Sequence, residues 1–123
     1  MADPIRVLLA DDHVLVRQGI RQFLNEAEGI EVVAEAGDGA EALRMIEAVE
    51  PDVVVLDIRM PEVTGVEATR RIKQHDPDVR VLILTAYDDD PYVFALLKAG
   101  ADGYVLKTAR AEVLVQAVRD VYN

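Results

Sequence analysis

Short apolar runs alternate with longer amphipathic stretches along the whole chain. Ile5–Ala10 (IRVLLA) is a strand-sized aliphatic run ended by Asp11 and Asp12. Val16, Ile20, Phe23, Leu24 and Ala27 then recur at helical spacing. They predict a helix from Val14 to Ala27, closed by Gly29. Glu31–Glu35 (EVVAE) predicts a second strand, followed by a Gly37-Asp38-Gly39 turn. Ala42, Leu43, Ile46 and Val49 mark a second helix that stops before Pro51. Val53–Leu56 is a third strand running into Asp57. After a loop with Pro61 and Gly65, the residues Val66, Thr69 and Ile72 define a helix over Gly65–His75. Val81–Leu84 is a fourth strand ending at Thr85. Asp90 and Pro91 read as an N-cap and a proline at the first helical position of a helix that runs to Ala99. Gly103–Leu106 is a short fifth strand ending at Lys107. Leu114, Ala117, Val118 and Val121 place a last helix over Arg110–Tyr122.

The pattern is five βα units. Nearly unbroken aliphatic strands are expected when helices cover both faces of a parallel sheet. The expected architecture is therefore α/β, a doubly wound five-stranded parallel sheet of order 2-1-3-4-5. With 123 residues and no internal repeat or linker, one domain fills positions 1–123. The 23 acidic and 13 basic side chains give a formal charge of −10, which argues against direct nucleic-acid binding by this chain. The absence of cysteine removes disulfides, thiolate zinc sites and a Cys nucleophile. The apolar runs are too short to span a membrane, and Met1-Ala2-Asp3-Pro4 is unlike a signal peptide; a cytoplasmic location is expected.

The chemistry-bearing residues fall at the carboxyl ends of strands, where open parallel sheets place their sites. Asp11 and Asp12 follow strand 1, Asp57 ends strand 3, Thr85 ends strand 4 and Lys107 ends strand 5. In the expected order strands 1 and 3 are neighbours, so three carboxylates converge. Crowded carboxylates repel, and a hard divalent cation resolves the conflict; few carboxylates plus waters suit Mg2+. A lysine and a hydroxyl beside a metal-bound carboxylate are the equipment of phosphoryl transfer, with the carboxylate itself as acceptor.

LLADDH (Leu8–His13), VVLDIRMPEVTG (Val54–Gly65), LILTA (Leu82–Ala86) and GADGYVLK (Gly100–Lys107) together resemble the receiver domain of bacterial two-component response regulators. That is the CheY-like, flavodoxin-like fold, and the resemblance covers essentially the whole chain. HVLVRQGIRQFL and IEVVAEAGDGAEAL look most like the NarL/FixJ (LuxR-type) class, whose receivers usually precede a helix-turn-helix DNA-binding domain. The resemblance implies that Asp57 accepts a phosphoryl group from a histidine kinase. It implies Mg2+ held by Asp12, Asp57 and the backbone carbonyl of Arg59, with Asp11 acting mainly through a metal-bound water. Lys107 would pair with Asp57 and then with the phosphoryl oxygens. Thr85 would move its hydroxyl onto that group, and Tyr104, at the family's switch-aromatic position, would turn inward with it. The chain would then be the N-terminal part of a longer regulator of transcription. It would be no enzyme beyond its own phosphorylation and dephosphorylation.

Arg59 and Tyr87 occupy the two positions that tune phosphoryl lifetime in the family; both are bulky, so slow autodephosphorylation is expected. Where many receivers have a cis proline after the lysine, this chain has Thr108, so the loop is either strained or rearranged. His13 is expected to start a helix, and Asp88-Asp89-Asp90 to be a solvated loop with one cap. Arg70, Arg71 and Lys73 are expected to be a solvated face. Val115 and Tyr122 on the last helix, and Tyr92 or Phe94 on the fourth, fall off the inward faces and suggest a phosphorylation-dependent homodimer or partner contact. Alternative readings are a stand-alone receiver acting by protein–protein binding, a flavodoxin-like electron carrier, and an Mg2+-dependent phosphatase. Asp11-Asp12 would repel a flavin phosphate. The phosphatase lacks its second acid, because Arg59 stands two residues after Asp57.

Overall fold

A computed structural model describes residues 3–60, 63–86 and 91–123. Five strands, β1 (Ile5–Ala10), β2 (Ile30–Ala36), β3 (Val53–Asp57), β4 (Arg80–Thr85) and β5 (Gly103–Leu106), form one sheet of order β2-β1-β3-β4-β5. Every pairing is parallel. The helices between and after them are α1 (Val14–Glu26), α2 (Gly39–Val49), α3 (Gly65–His75), α4 (Tyr92–Lys98) and α5 (Ala111–Tyr122). This is the architecture expected from the sequence.

Alternation along the strands divides the interior into two layers. Leu8, Val54, Leu56, Val81 and Ile83 pack against Ala42 and Ile46 of α2, Ala68 and Ile72 of α3, and Val93 and Leu96 of α4. Val7, Leu9, Val53, Val55, Leu82 and Leu84 pack against Ile20 and Leu24 of α1 and Leu114 and Val118 of α5. With both faces covered, β3 is buried at every position. The charge of Asp57 is thereby delivered to the end of a wholly apolar strand.

Local chemistry sets the helix ends. The Asp38 and Thr64 side chains accept from the N–H groups of Glu41 and Glu67 and cap α2 and α3. Gly29 supplies the positive φ (80°) after α1, while α2 ends on Glu50 in the left-handed region at φ 48°. Pro91 is not the first residue of α4: it stands one position ahead, already at helical dihedrals (−63°, −21°). Asp90, expected to cap this helix, lies outside the described residues, as do Asp88, Asp89 and Tyr87.

Several side chains depart from the sequence expectation. Val16 and Phe23 are exposed, leaving α1 a narrow buried stripe of Ile20 and Leu24. On α5, Val115 packs half-buried against the core and Val113 is the exposed residue, while Tyr122 is exposed as expected. Lys73 is not part of a solvated face; its ammonium lies 2.8 Å from Asp102 and only 16% of the side chain is exposed. Arg70 and Arg71 do stay at the surface, both paired with Glu67. The β1–β2 register slips between Val7 and Leu8, so Val33 is an extra, bulged residue of the edge strand β2.

The amino ends of the strands carry their own carboxylates. Asp52 Oδ2 accepts from the Arg6 N–H at 2.9 Å, and Asp102 Oδ2 accepts from the Val81 N–H at 2.8 Å. Each satisfies a strand-edge donor that no neighbouring strand reaches.

Gly39 opens α2 against the loop that follows β3. A Cβ there would lie 2.6 Å from the Val63 carbonyl oxygen and 2.8 Å from Val63 Cβ. Because the nearest obstacle is main chain, Gly39→Ala should destabilise the protein by about 1–3 kcal/mol. The measurement is a urea unfolding midpoint; a midpoint at or above wild type would refute this packing.

Candidate functional site

At the carboxyl end of the sheet, β1, β3, β4 and β5 bring their terminal polar residues together. Asp11 is wholly buried and Asp57 is 2% exposed. Lys107, one residue past β5, places Nζ 3.0 Å from Asp57 Oδ2 and 3.4 Å from Asp11 Oδ2. Asp57 Oδ1 accepts from the Arg59 N–H at 3.4 Å. Asp11 Oδ1 accepts from the His13 N–H at 2.9 Å, whereas Asp11 Oδ2 accepts no hydrogen bond despite its burial and the nearby ammonium. Its distance to Lys107 suits an ion pair, but the hydrogen-bond geometry is not met.

Thr85 ends β4 with its side chain fully buried. Its carbonyl accepts the Lys107 N–H at 2.7 Å, so the hydroxyl and the ammonium sit on adjacent strands tied at that point. Tyr104, the second residue of β5, is 44% exposed. No cis peptide occurs among the described residues, so the Lys107–Thr108 bond is trans. The loop is instead closed by the Ala109 N–H donating to the Leu106 carbonyl at 3.0 Å. The rearranged alternative is the one observed.

His13 holds the N-cap position of α1, as a helix-start residue should. Its ring also reaches the carboxylates: Nδ1 lies 3.2 Å from Asp12 Oδ1 and 3.4 Å from Asp11 Oδ1. One ligand atom from each of Asp11, Asp12, His13 and Asp57 can be chosen so that all lie within 4.8 Å of one another. The Arg59 guanidinium lies 5.2 Å from the centre of the Tyr92 ring on α4.

The electrostatics follow from burial. Desolvation raises the Asp57 carboxyl above its ordinary value of 3.8, and the Asp11 charge adds to the rise. The bond to Lys107, its charge and the Arg59 N–H pull the other way without cancelling it. Burial alone would lower the Lys107 ammonium. Its bond to Asp57, the Asp57 charge and then Asp11 outweigh that and hold it above 10.5. The residues fit a hard cation: the carboxylates crowd, a buried oxygen has no hydrogen bond, and the donors are oxygen-rich. The sequence expectation that Asp11, Asp12 and Asp57 converge is met, with Thr85 and Lys107 at the same rim.

Among the described residues no helix is long and apolar enough to cross a membrane. Residues 7–119 match the family model of the response regulator receiver domain. The chain is 43% identical over 118 residues to the nitrate/nitrite response regulator protein NarP of Escherichia coli, covering 96% of this chain and 55% of that protein. It thus spans about half the length of the curated relatives it matches. Among solved structures, the signal receiver domain of the putative response regulator NarL from Mycobacterium tuberculosis superposes with a TM-score of 0.93 at 37% identity, covering 98% of each chain. The CheX–CheY–BeF3–Mg2+ complex from Borrelia burgdorferi gives 0.90 at 28% identity, covering 98% of this chain and 91% of that one. With its strand order, its acidic rim and these relatives in agreement, the chain belongs to the response regulator receiver domain family, and its homologues are NarL/LuxR-type regulators of transcription.

Proposed function

We propose that the chain takes a phosphoryl group onto Asp57 from the phosphohistidine of a histidine kinase, with Mg2+, and relays this as a change of surface. The observation that carries the reading is the buried Asp57 carboxylate paired at 3.0 Å with Lys107, beside a second buried carboxylate whose oxygen has no hydrogen bond. Asp12, Asp57 and the Arg59 carbonyl would hold the ion, with Asp11 acting through a metal-bound water. Bound there, Mg2+ supplies charge neutralisation for the incoming phosphoryl oxygens. The support is the donor set, together with a fold neighbour solved with BeF3 and Mg2+.

The chain's own groups supply the rest. The Asp57 carboxylate is the nucleophile: its O–P bond forms as the P–N bond to the kinase's histidine breaks and the imidazole leaves with that electron pair, and a phosphoryl oxygen then takes over the contact with Lys107. The ammonium, kept protonated by its carboxylate neighbours, then stabilises charge that grows on the phosphoryl group. Thr85 offers a hydroxyl from the adjacent strand, and its movement frees space into which Tyr104 turns. Exposed Tyr92, Phe94 and Leu97 of α4 lie in the region this would reshape. The chain would act within a longer cytoplasmic regulator carrying a helix-turn-helix module, consistent with relatives about twice its length.

The direct test is chemical mapping. Acetyl phosphate and Mg2+ followed by borohydride should convert Asp57, and no other residue, to homoserine. Reduction elsewhere, or at no residue, overturns the assignment.

Two further outcomes follow. Arg59→Asn and Tyr87→Ala should each speed decay of the acyl phosphate several-fold, because each removes bulk expected to shield it from water; equal or slower decay in both counts against shielding. Beryllofluoride with Mg2+ should shift the sedimentation coefficient toward a homodimer, and a monomer with and without it counts against that contact.

A further inference from the structure

Arg17 stands behind the acidic pocket and touches none of its carboxylates. It lies in the first turns of α1, with its N–H bonded to the His13 carbonyl at 2.9 Å and 18% of its side chain exposed. Nη1 donates to the Asp11 carbonyl at 2.8 Å and to the Ala36 carbonyl at 3.4 Å. Nε donates to Glu35 Oε1 at 3.2 Å. The Ala36 carbonyl also accepts the Asp11 N–H at 3.0 Å. One planar cation therefore ties the carboxyl ends of β1 and β2 together, with Asp11 held through both its N–H and its C=O.

The distribution of charge is the informative part. A guanidinium this near an acidic cluster could have neutralised a carboxylate and displaced a metal. Here it faces main-chain carbonyls, and its charge is matched by Glu35, which also receives Arg21 at 2.9 Å. Arg17 thereby immobilises Asp11 without pairing with its carboxylate, whose Oδ2 instead lies 3.4 Å from the Lys107 ammonium. Its Oδ1 is engaged by the His13 N–H, and its Oδ2 is left without a hydrogen bond.

We propose that Arg17 is a positioning residue of the cation pocket: its fork fixes the Asp11 main chain so that Oδ2 stays available to an ion or its water. The inference rests on the metal reading above. Groups that orient a metal's ligands from outside typically govern affinity by about 10–100-fold.

The experiment is isothermal titration of the whole chain with Mg2+, alongside urea unfolding. Arg17→Met should weaken Mg2+ binding about tenfold or more. Arg17→Lys keeps the charge but cannot donate along the same directions, and should also weaken it. Gly37→Ala perturbs the fork from outside, because its Cβ would lie 3.3 Å from Arg17 Nη1; a smaller weakening is expected. If Arg17→Met does not fold, the other two carry the test. Wild-type affinity in the folded variants, even with lowered stability, makes Arg17 a tether of α1 and overturns the proposal. Full rescue by lysine overturns it in favour of charge alone. A wild-type chain that binds no Mg2+ overturns the metal reading itself.

Discussion

Asp57→Asn will take up no phosphoryl group from acetyl phosphate, while the wild type gains a single phosphoryl mass by intact mass spectrometry. The amide keeps the shape of the carboxylate but is a poor nucleophile. Of the described carboxylates beside it, Asp12 is partly exposed and Asp11 is wholly buried, its main chain held by β2. Chelation of Mg2+ by EDTA should remove the wild-type adduct, and Asp12→Ala should reduce it by about 100-fold or more, the scale on which a lost charge contact acts in such sites. Lys107→Ala should slow transfer and also break the pair that holds Asp57 at rest. An undiminished adduct in Asp57→Asn sinks the assignment.

The same substitution should make the metal-free protein more stable. Asp57 has a raised pKa, so the folded state holds its proton more tightly than the unfolded chain does. Stability from this group is therefore fully present below the unfolded value of 3.8 and is lost as pH rises through the folded value. At neutral pH the ionised side chain works against folding. Asn removes that burden, and Lys107 keeps Asp11 at 3.4 Å. In EDTA at pH 7, Asp57→Asn should gain about 0.5–2 kcal/mol by urea unfolding. Wild type should recover stability when Mg2+ is added, by about 2.7 kcal/mol at a hundredfold excess over its Kd. Asp57→Asn should recover much less. A destabilised Asp57→Asn in EDTA would mean that the pair with Lys107 outweighs desolvation.

The two-sided burial and the gathering of Asp11, Asp12, Asp57, Thr85 and Lys107 were legible because β1, β3 and β4 are aliphatic runs that meet polar residues at their carboxyl ends, as the short β5 meets Lys107. What stayed hidden depends on tertiary context. Helical periodicity marks an apolar face but not how wide a surface it meets. The narrow stripe of α1 leaves Val16 and Phe23 in water, and the buried face of α5 is broad enough to take in Val115 beside the expected residues. Lys73 reads as one more surface charge until Asp102, distant in sequence, is brought against it. The bulge at Val33 leaves no mark in EVVAE, since either register buries valine. Arg17 offered no signal either: its partners are two main-chain carbonyls and a glutamate on β2.

The carboxylates at the amino ends of the strands give the acidic residues two different fates under selection. Asp52 and Asp102 each satisfy a backbone N–H, and their loss leaves a donor stranded. In a mutant library sorted only for folded abundance, substitutions at Asp52 and Asp102 would be depleted, and Asn at position 57 would be tolerated or enriched. Sorting the same library for signalling would deplete Asn at position 57 as well and leave the other two positions where they were. Which end of the sheet an aspartate occupies thus decides whether a population loses it through misfolding or through silence.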